Sequence, residues 1–124
     1  MAVTTIYTAK APEPIGPYSQ AKLVDGTLYI SGQIGLDPVT GRLAGDDIKA
    51  QTEQVMSNLD AILTAAGKSF DDVVKTTCLL TDMSAFATFN EIYEQYAVSR
   101  PVRSTYAVKA LPANALVEVE LVAD

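Results

Sequence analysis

Apolar and polar positions along this chain follow two periodicities, and together these map most of its elements. From residue 46 to 66, Ile48, Thr52, Val55, Leu59, Ile62, Leu63 and Ala66 form one stripe at helical spacing. Gly67 then ends the helix as its left-handed C-terminal residue. A second helix is expected after Ser84, a suitable N-cap, with Phe86, Phe89, Tyr93 and Tyr96 as its apolar face; Pro101 ends the stretch beyond it. Strand-like runs cover residues 4–7, 21–24 and 27–33, the latter two joined at Asp25-Gly26, a strong hairpin signal. Residues 73–80 are rich in β-branched side chains, and residues 103–109 and 116–123 read as two closing strands. Between the first two strands, residues 11–17 hold three prolines and a glycine and cannot be helical.

The resulting order is β-β-β-α-β-α-β-β in a single domain, residues 1–124, with no linker or repeat. Two amphipathic helices cover only one face of a six-strand sheet, which makes this an α+β sandwich. Leu28, Ile30 and Ile34 alternate with Tyr29, Ser31 and Gln33, so the uncovered face carries little charge and is expected to meet another subunit.

Composition narrows the chemistry. The 124 residues include no His, no Trp and one Cys, with a net charge of −6. Without imidazole there is no Ser-His-Asp or Cys-His machinery. Cys78 alone cannot build a zinc or copper site, and neither common phosphate-loop spacing is present, so no metal and no cofactor are expected. Asp46-Asp47 and Asp71-Asp72 read as helix-start carboxylates. The acidic balance disfavours nucleic acid. A start with no basic region ahead of an apolar stretch predicts no signal peptide; with no run of spanning length and one cysteine, a cytoplasmic protein is expected.

Arg, Glu, Tyr, Asn and water remain as the chemistry. Arg103 enters a strand in Pro101-Val102-Arg103-Ser104, where a guanidinium is costly to desolvate unless it grips a planar anion. Glu118 and Glu120, two apart in the last strand, point to one face roughly 7 Å apart, while Val117, Val119 and Leu121 point to the other. The short link between the closing strands suggests an antiparallel pair that brings Arg103 near a glutamate. A structural ion pair of Arg103 with Glu118 or Glu120 is the bland alternative. Paired carboxylates also suit glycoside hydrolysis, but a sugar cleft wants aromatic platforms and there is no Trp. Lys75 reads as an exposed strand lysine rather than a Schiff-base amine, and Cys78 as a small buried hydrophobe.

Six motifs in order resemble the RidA (YjgF/YER057c) family nearly end to end: Pro14-Ile15-Gly16-Pro17-Tyr18-Ser19-Gln20, Ser31-Gly32-Gln33, Val73-Val74-Lys75-Thr76-Thr77, Phe86 with Asn90 and Tyr93, Pro101-Val102-Arg103-Ser104, and Val117-Glu118-Val119-Glu120. The resemblance implies a chorismate-mutase-like fold and a homotrimer with sites between subunits. It implies enamine/imine deaminase activity, hydrolysing 2-aminoacrylate and related products of pyridoxal-phosphate enzymes to 2-keto acids and ammonia. The family's carboxylate-binding arginine falls on Arg103, its water-positioning glutamate on Glu118, the tyrosine at the cleft mouth on Tyr18, the lining glycine on Gly32 and the polar helix residue on Asn90. Thr105 stands where bacterial members often have Cys and is expected to bind substrate mainly through its backbone, and Val102 stands where alanine is commoner. A regulatory protein that only binds 2-keto acids, an RNA-cleaving translation inhibitor and a chaperone-like surface are the competing readings.

Overall fold

In the computed structural model, which describes residues 2–124, all strands join one mixed sheet and both long helices lie against the same side of it. The strands are β1 (Val3–Ile6), β2 (Ala21–Val24), β3 (Thr27–Ile34), β4 (Val73–Leu80), β5 (Val102–Ala107) and β6 (Val117–Ala123). The helices are α1 (Ile48–Ala65), between β3 and β4, and α2 (Phe86–Tyr96), between β4 and β5. The α+β architecture and its element order are as the sequence predicts.

Strand order is β1-β2-β3-β6-β4-β5. Every pairing is antiparallel except β4 with β5. That exception corrects the expected pairing of the last two strands. The α2 crossover returns the chain parallel to β4 at the sheet edge, the kind of connection that a parallel pair needs. The chain then passes to the other side of β4, where β6 pairs with β4 and β3. Arg103 is in register with Thr76, and Glu118 with Leu79, so β4 separates the two.

A second correction lies in β3. Ile30 pairs with Leu121 but Gln33 with Val119, so Ser31 and Gly32 together oppose Glu120. This bulge inverts the side-chain alternation beyond it. Gln33 becomes buried and Ile34 turns to the open side, opposite to a strict two-residue reading.

α1 is set by its ends and its stripe. The Asp47 carboxylate accepts from Ala50 N at 2.8 Å at the start, and Gly67 adopts φ +74° beyond the end. Val55, Leu59, Ile62 and Leu63 are fully buried against Leu28, Val117, Val119 and Leu121 of the sheet. Two buried amides on α1 hold the connection after β3. Asn58 Nδ2 donates to Ile34 O and Leu36 O, and Gln51 Nε2 donates to Gly45 O while its Oε1 accepts from Leu116 N. The cap expected of Ser84 belongs instead to Asp82, whose carboxylate accepts from Ser84 N and starts a 3-10 turn running into α2. Phe89 and Tyr93 are buried on the inner face of α2, with Phe86 and Tyr96 partly so.

Candidate active site

Glu118 stands on the open side of β6, partly buried and packed onto the β3 bulge. A Cβ on residue 32 would lie 2.6 Å from Glu118 Oε2 and 2.8 Å from Cδ, so Gly32 leaves the space that the carboxylate occupies. Burial pushes the Glu118 carboxyl above its ordinary value, and the neighbouring Glu120 charge pushes it the same way. The carboxylate faces a cavity of about 610 Å³ whose walls include Pro12, Ile15, Tyr18, Gly32, Ile34 and Pro112. An acid–base group with raised proton affinity, in a hollow of mixed apolar and polar walls that also include Glu13, Gln20 and Glu120, can take a proton from water and return it to a leaving group.

Tyr18 reaches the same cavity from the proline-rich segment, and its hydroxyl accepts from Ile15 N at 3.2 Å. Three of the expected site residues, Tyr18, Gly32 and Glu118, therefore meet in one place.

Arg103 is elsewhere. It points to the helix side of β5, and its Nη1 donates to Asn90 Oδ1 at 2.8 Å. The guanidinium carbon lies 4.9 Å from the centroid of Tyr93 and 5.4 Å from that of Phe86. Two aromatic faces and an amide oxygen thus seat the cation. Tyr93 is fixed beneath it by a 2.6 Å hydrogen bond between its hydroxyl and that of Thr76, and burial raises the proton affinity of this phenol. Arg103 and Asn90 line a second hollow of about 340 Å³ with Tyr93, Arg100 and Pro101. In a single copy the arginine is exposed, not buried as its strand position suggested. Its partners are those of α2, and the intrachain ion pair with Glu118 or Glu120 is overturned because the glutamates occupy the opposite face.

Thr105 departs from its expected place in the site: it lies two residues beyond Arg103 on the helix side, in register with Cys78, and lines neither hollow. Its hydroxyl has no hydrogen-bond partner among the described residues. Cys78 is the buried hydrophobe expected, its thiol pushed up to about 11 chiefly by burial. Lys75 is exposed on the open face. Among the described residues, no group of three His, Cys, Asp or Glu side chains is placed to hold a metal. Among the described residues, no helix is long and apolar enough to cross a membrane.

Two sets of site residues were only partly legible in the sequence. Phe86 and Tyr93 could be read as a helix face but not as the bed of a guanidinium; their spacing with Asn90, four and seven positions along one helix, was the available signal. Gln20 and the cavity wall at Pro12 and Glu13 gave no periodic signal at all.

The family described as endoribonuclease L-PSP matches the chain over residues 8–124. The chain belongs to that family. Among its relatives, the human protein named 2-iminobutanoate/2-iminopropanoate deaminase is 54% identical over 119 residues, covering 95% of this chain and 87% of the relative. The crystal structure of RidA from a Psychrobacter species is 47% identical, with a TM-score of 0.93 over 97% of this chain and 98% of that one. Escherichia coli TdcF, crystallised with bound serine, is 37% identical with a TM-score of 0.91 over 97% of each chain. The RidA resemblance carried by the six motifs is thereby borne out, and L-PSP family members share the sheet and helices of this chain.

Proposed function

We propose that this L-PSP family protein is an enamine/imine deaminase. It would hydrolyse 2-iminopropanoate, formed from 2-aminoacrylate, and related 2-imino acids from pyridoxal-phosphate dehydratases to 2-keto acids and ammonia. The observation that carries the reading is the seat of Glu118: a carboxylate of raised proton affinity, set against a glycine inside a small-molecule cavity. The name of the human relative supplies the reaction class, and the serine bound in the TdcF crystal is a ligand of matching size with an α-carboxylate.

In this reading the substrate carboxylate sits in the fork of Arg103, held flat by Tyr93, Phe86 and Asn90. Glu118 orients a water and takes one of its protons as the oxygen bonds to the imine carbon. It then gives that proton to nitrogen. The C–N bond breaks, its electron pair leaves with nitrogen as ammonia, and the hydroxyl becomes the keto oxygen as it loses its proton. Both water protons end on nitrogen. No strong nucleophile is required, since the imine carbon is already electrophilic.

The two halves lie on opposite faces of one sheet with β4 between them. One substrate can engage both only if Arg103 and Glu118 come from different copies. A homotrimer, the state the RidA resemblance implies, supplies such junctions. Tyr29, Val102 and Tyr106, all at least half exposed on the open face, are suited to burial there. The endoribonuclease function in the family description gains no support from a chain without imidazole and with net charge −6.

The test couples a serine or threonine dehydratase to the purified protein and follows keto-acid appearance. Arg103→Ala should stay folded and lose roughly one to two orders of magnitude, from about 1.5–3 kcal/mol of charge-assisted binding. Arg103→Lys should rescue poorly, because a point charge lacks the planar fork. Full activity in a folded Arg103→Ala protein would make the arginine structural and the reading wrong.

A further inference from the structure

The wall in front of Glu118 belongs to a segment with no ladder of its own. Residues 7–20, between β1 and β2, carry three prolines, yet Pro12, Glu13, Ile15 and Tyr18 all stand in the cavity lining. One side chain organises the start of this segment. The Gln20 amide is 2% exposed, and its Nε2 donates to Thr8 O at 3.0 Å, Pro12 O at 2.9 Å and, at 3.4 Å, Ala11 O. Its Oε1 accepts from Thr8 N at 2.8 Å. An amide donates through two N–H groups and accepts through its oxygen from one planar end, a combination that a carboxylate or a thioether lacks.

The same residue ties that turn to the bulge. Gln20 O accepts from Ser31 N at 2.9 Å, and Ser31 Oγ donates to Ser19 O at 2.6 Å. Gly32, the seat of Glu118, is the next residue. Gln20 thus joins the irregular wall and the rigid sheet on either side of the carboxylate, and it lines the cavity itself.

We propose that Gln20 is a positioning residue for imine hydrolysis, its buried amide locking the 8–12 turn against the Ser31–Gly32 bulge so that the wall keeps its place beside Glu118. The proposal rests on the deaminase function proposed for this site. A wall held in place limits the water around the carboxyl; a displaced one admits more and lowers its proton affinity toward the ordinary value. The other titratable groups facing the cavity are Glu13 and Tyr18 from the wall and Glu120 from β6.

The experiment compares wild type with Gln20→Met, which keeps the length and removes every hydrogen bond, and Gln20→Glu, which keeps the acceptor for Thr8 N but turns an oxygen toward the carbonyls. Three readouts are taken on each: thermal unfolding, kcat and KM in the coupled assay, and the pH titration of the Glu118 carboxyl carbon by 13C NMR. Both variants are expected to fold, with kcat/KM down roughly ten- to a hundredfold, mostly through KM, as misplacement of a binding wall predicts. The Glu118 midpoint should fall in both. A folded variant with unchanged midpoint and kcat/KM overturns the proposal. So does global unfolding of both variants, which would make the amide a requirement of the whole fold. If the midpoint falls but wild type shows no imine hydrolysis, the hold of Gln20 on the wall stands, while its role in imine hydrolysis falls with the functional reading.

Discussion

Glu118 carries a conflict between stability and use. Its carboxyl is held above the ordinary value of 4.5 by burial first and by Glu120 second. A raised carboxyl means that the folded state binds the proton more tightly than the unfolded chain. Ionised Glu118 therefore opposes folding above its folded pKa, and that opposition disappears as pH falls below the unfolded value. Glu118→Gln should leave the melting temperature at pH 7 unchanged or higher while abolishing turnover, a pairing that calorimetry and the coupled assay will check. Glu120→Gln removes the second cause. It should move the acid limb of kcat/KM to lower pH without altering the plateau by more than a few fold, as a pH–rate profile will record. Gly32→Ala tests the seat itself. The clash falls on the far end of a flexible side chain, so the fold should survive while the carboxylate is displaced. A loss of about a hundredfold in kcat with an unchanged unfolding curve is expected.

At the scale of elements, the ends of α1 separate a side-chain cap from a backbone requirement. Asp47→Ala loses the hydrogen bond to Ala50 N and should cost about 1 kcal/mol. Gly67→Ala places a Cβ at φ +74° and should cost roughly 1–2 kcal/mol; urea denaturation of each variant measures both. These ends were readable because capping is local chemistry written within a few residues. The same holds for the Asp25-Gly26 hairpin, where both residues take positive φ. Strand partners are not local. The link from β5 to β6 is short, yet consecutive left-handed residues at Ala113 and Asn114 accompany a chain path to the far side of β4. The bulge at Ser31–Gly32 escaped for a related reason: alternation read along one strand does not show where its partner holds one residue fewer. At the site, Arg103, Glu118 and Asn90 were legible as residue types in motifs, whereas their division between two faces depends on strand order.

For the whole molecule, that division sets a quantitative test. Arg103→Ala and Glu118→Gln proteins are each expected to be nearly inactive. Mixed in equal amounts and allowed to exchange subunits, they should regenerate intact sites wherever a chain retaining Arg103 meets a neighbour retaining Glu118. Random assembly gives each junction one half times one half, so about a quarter of wild-type activity should return. Sites contained in one chain would return none. Sedimentation equilibrium should find trimers in both parents and in the mixture.

The placement of Arg103 and Glu118 on opposite faces also has a genetic consequence. With sites formed between copies as proposed, a chain altered at only one of these residues should still lend its other half to a neighbour. Expressed beside an equal amount of normal chain, it leaves about half of the sites working, no worse than simple loss of dosage. A chain altered at both positions spoils the junction on each side of it and leaves only about a quarter. The doubly altered form should therefore lower activity below simple loss of dosage, by an amount that tracks how freely altered and normal chains mix.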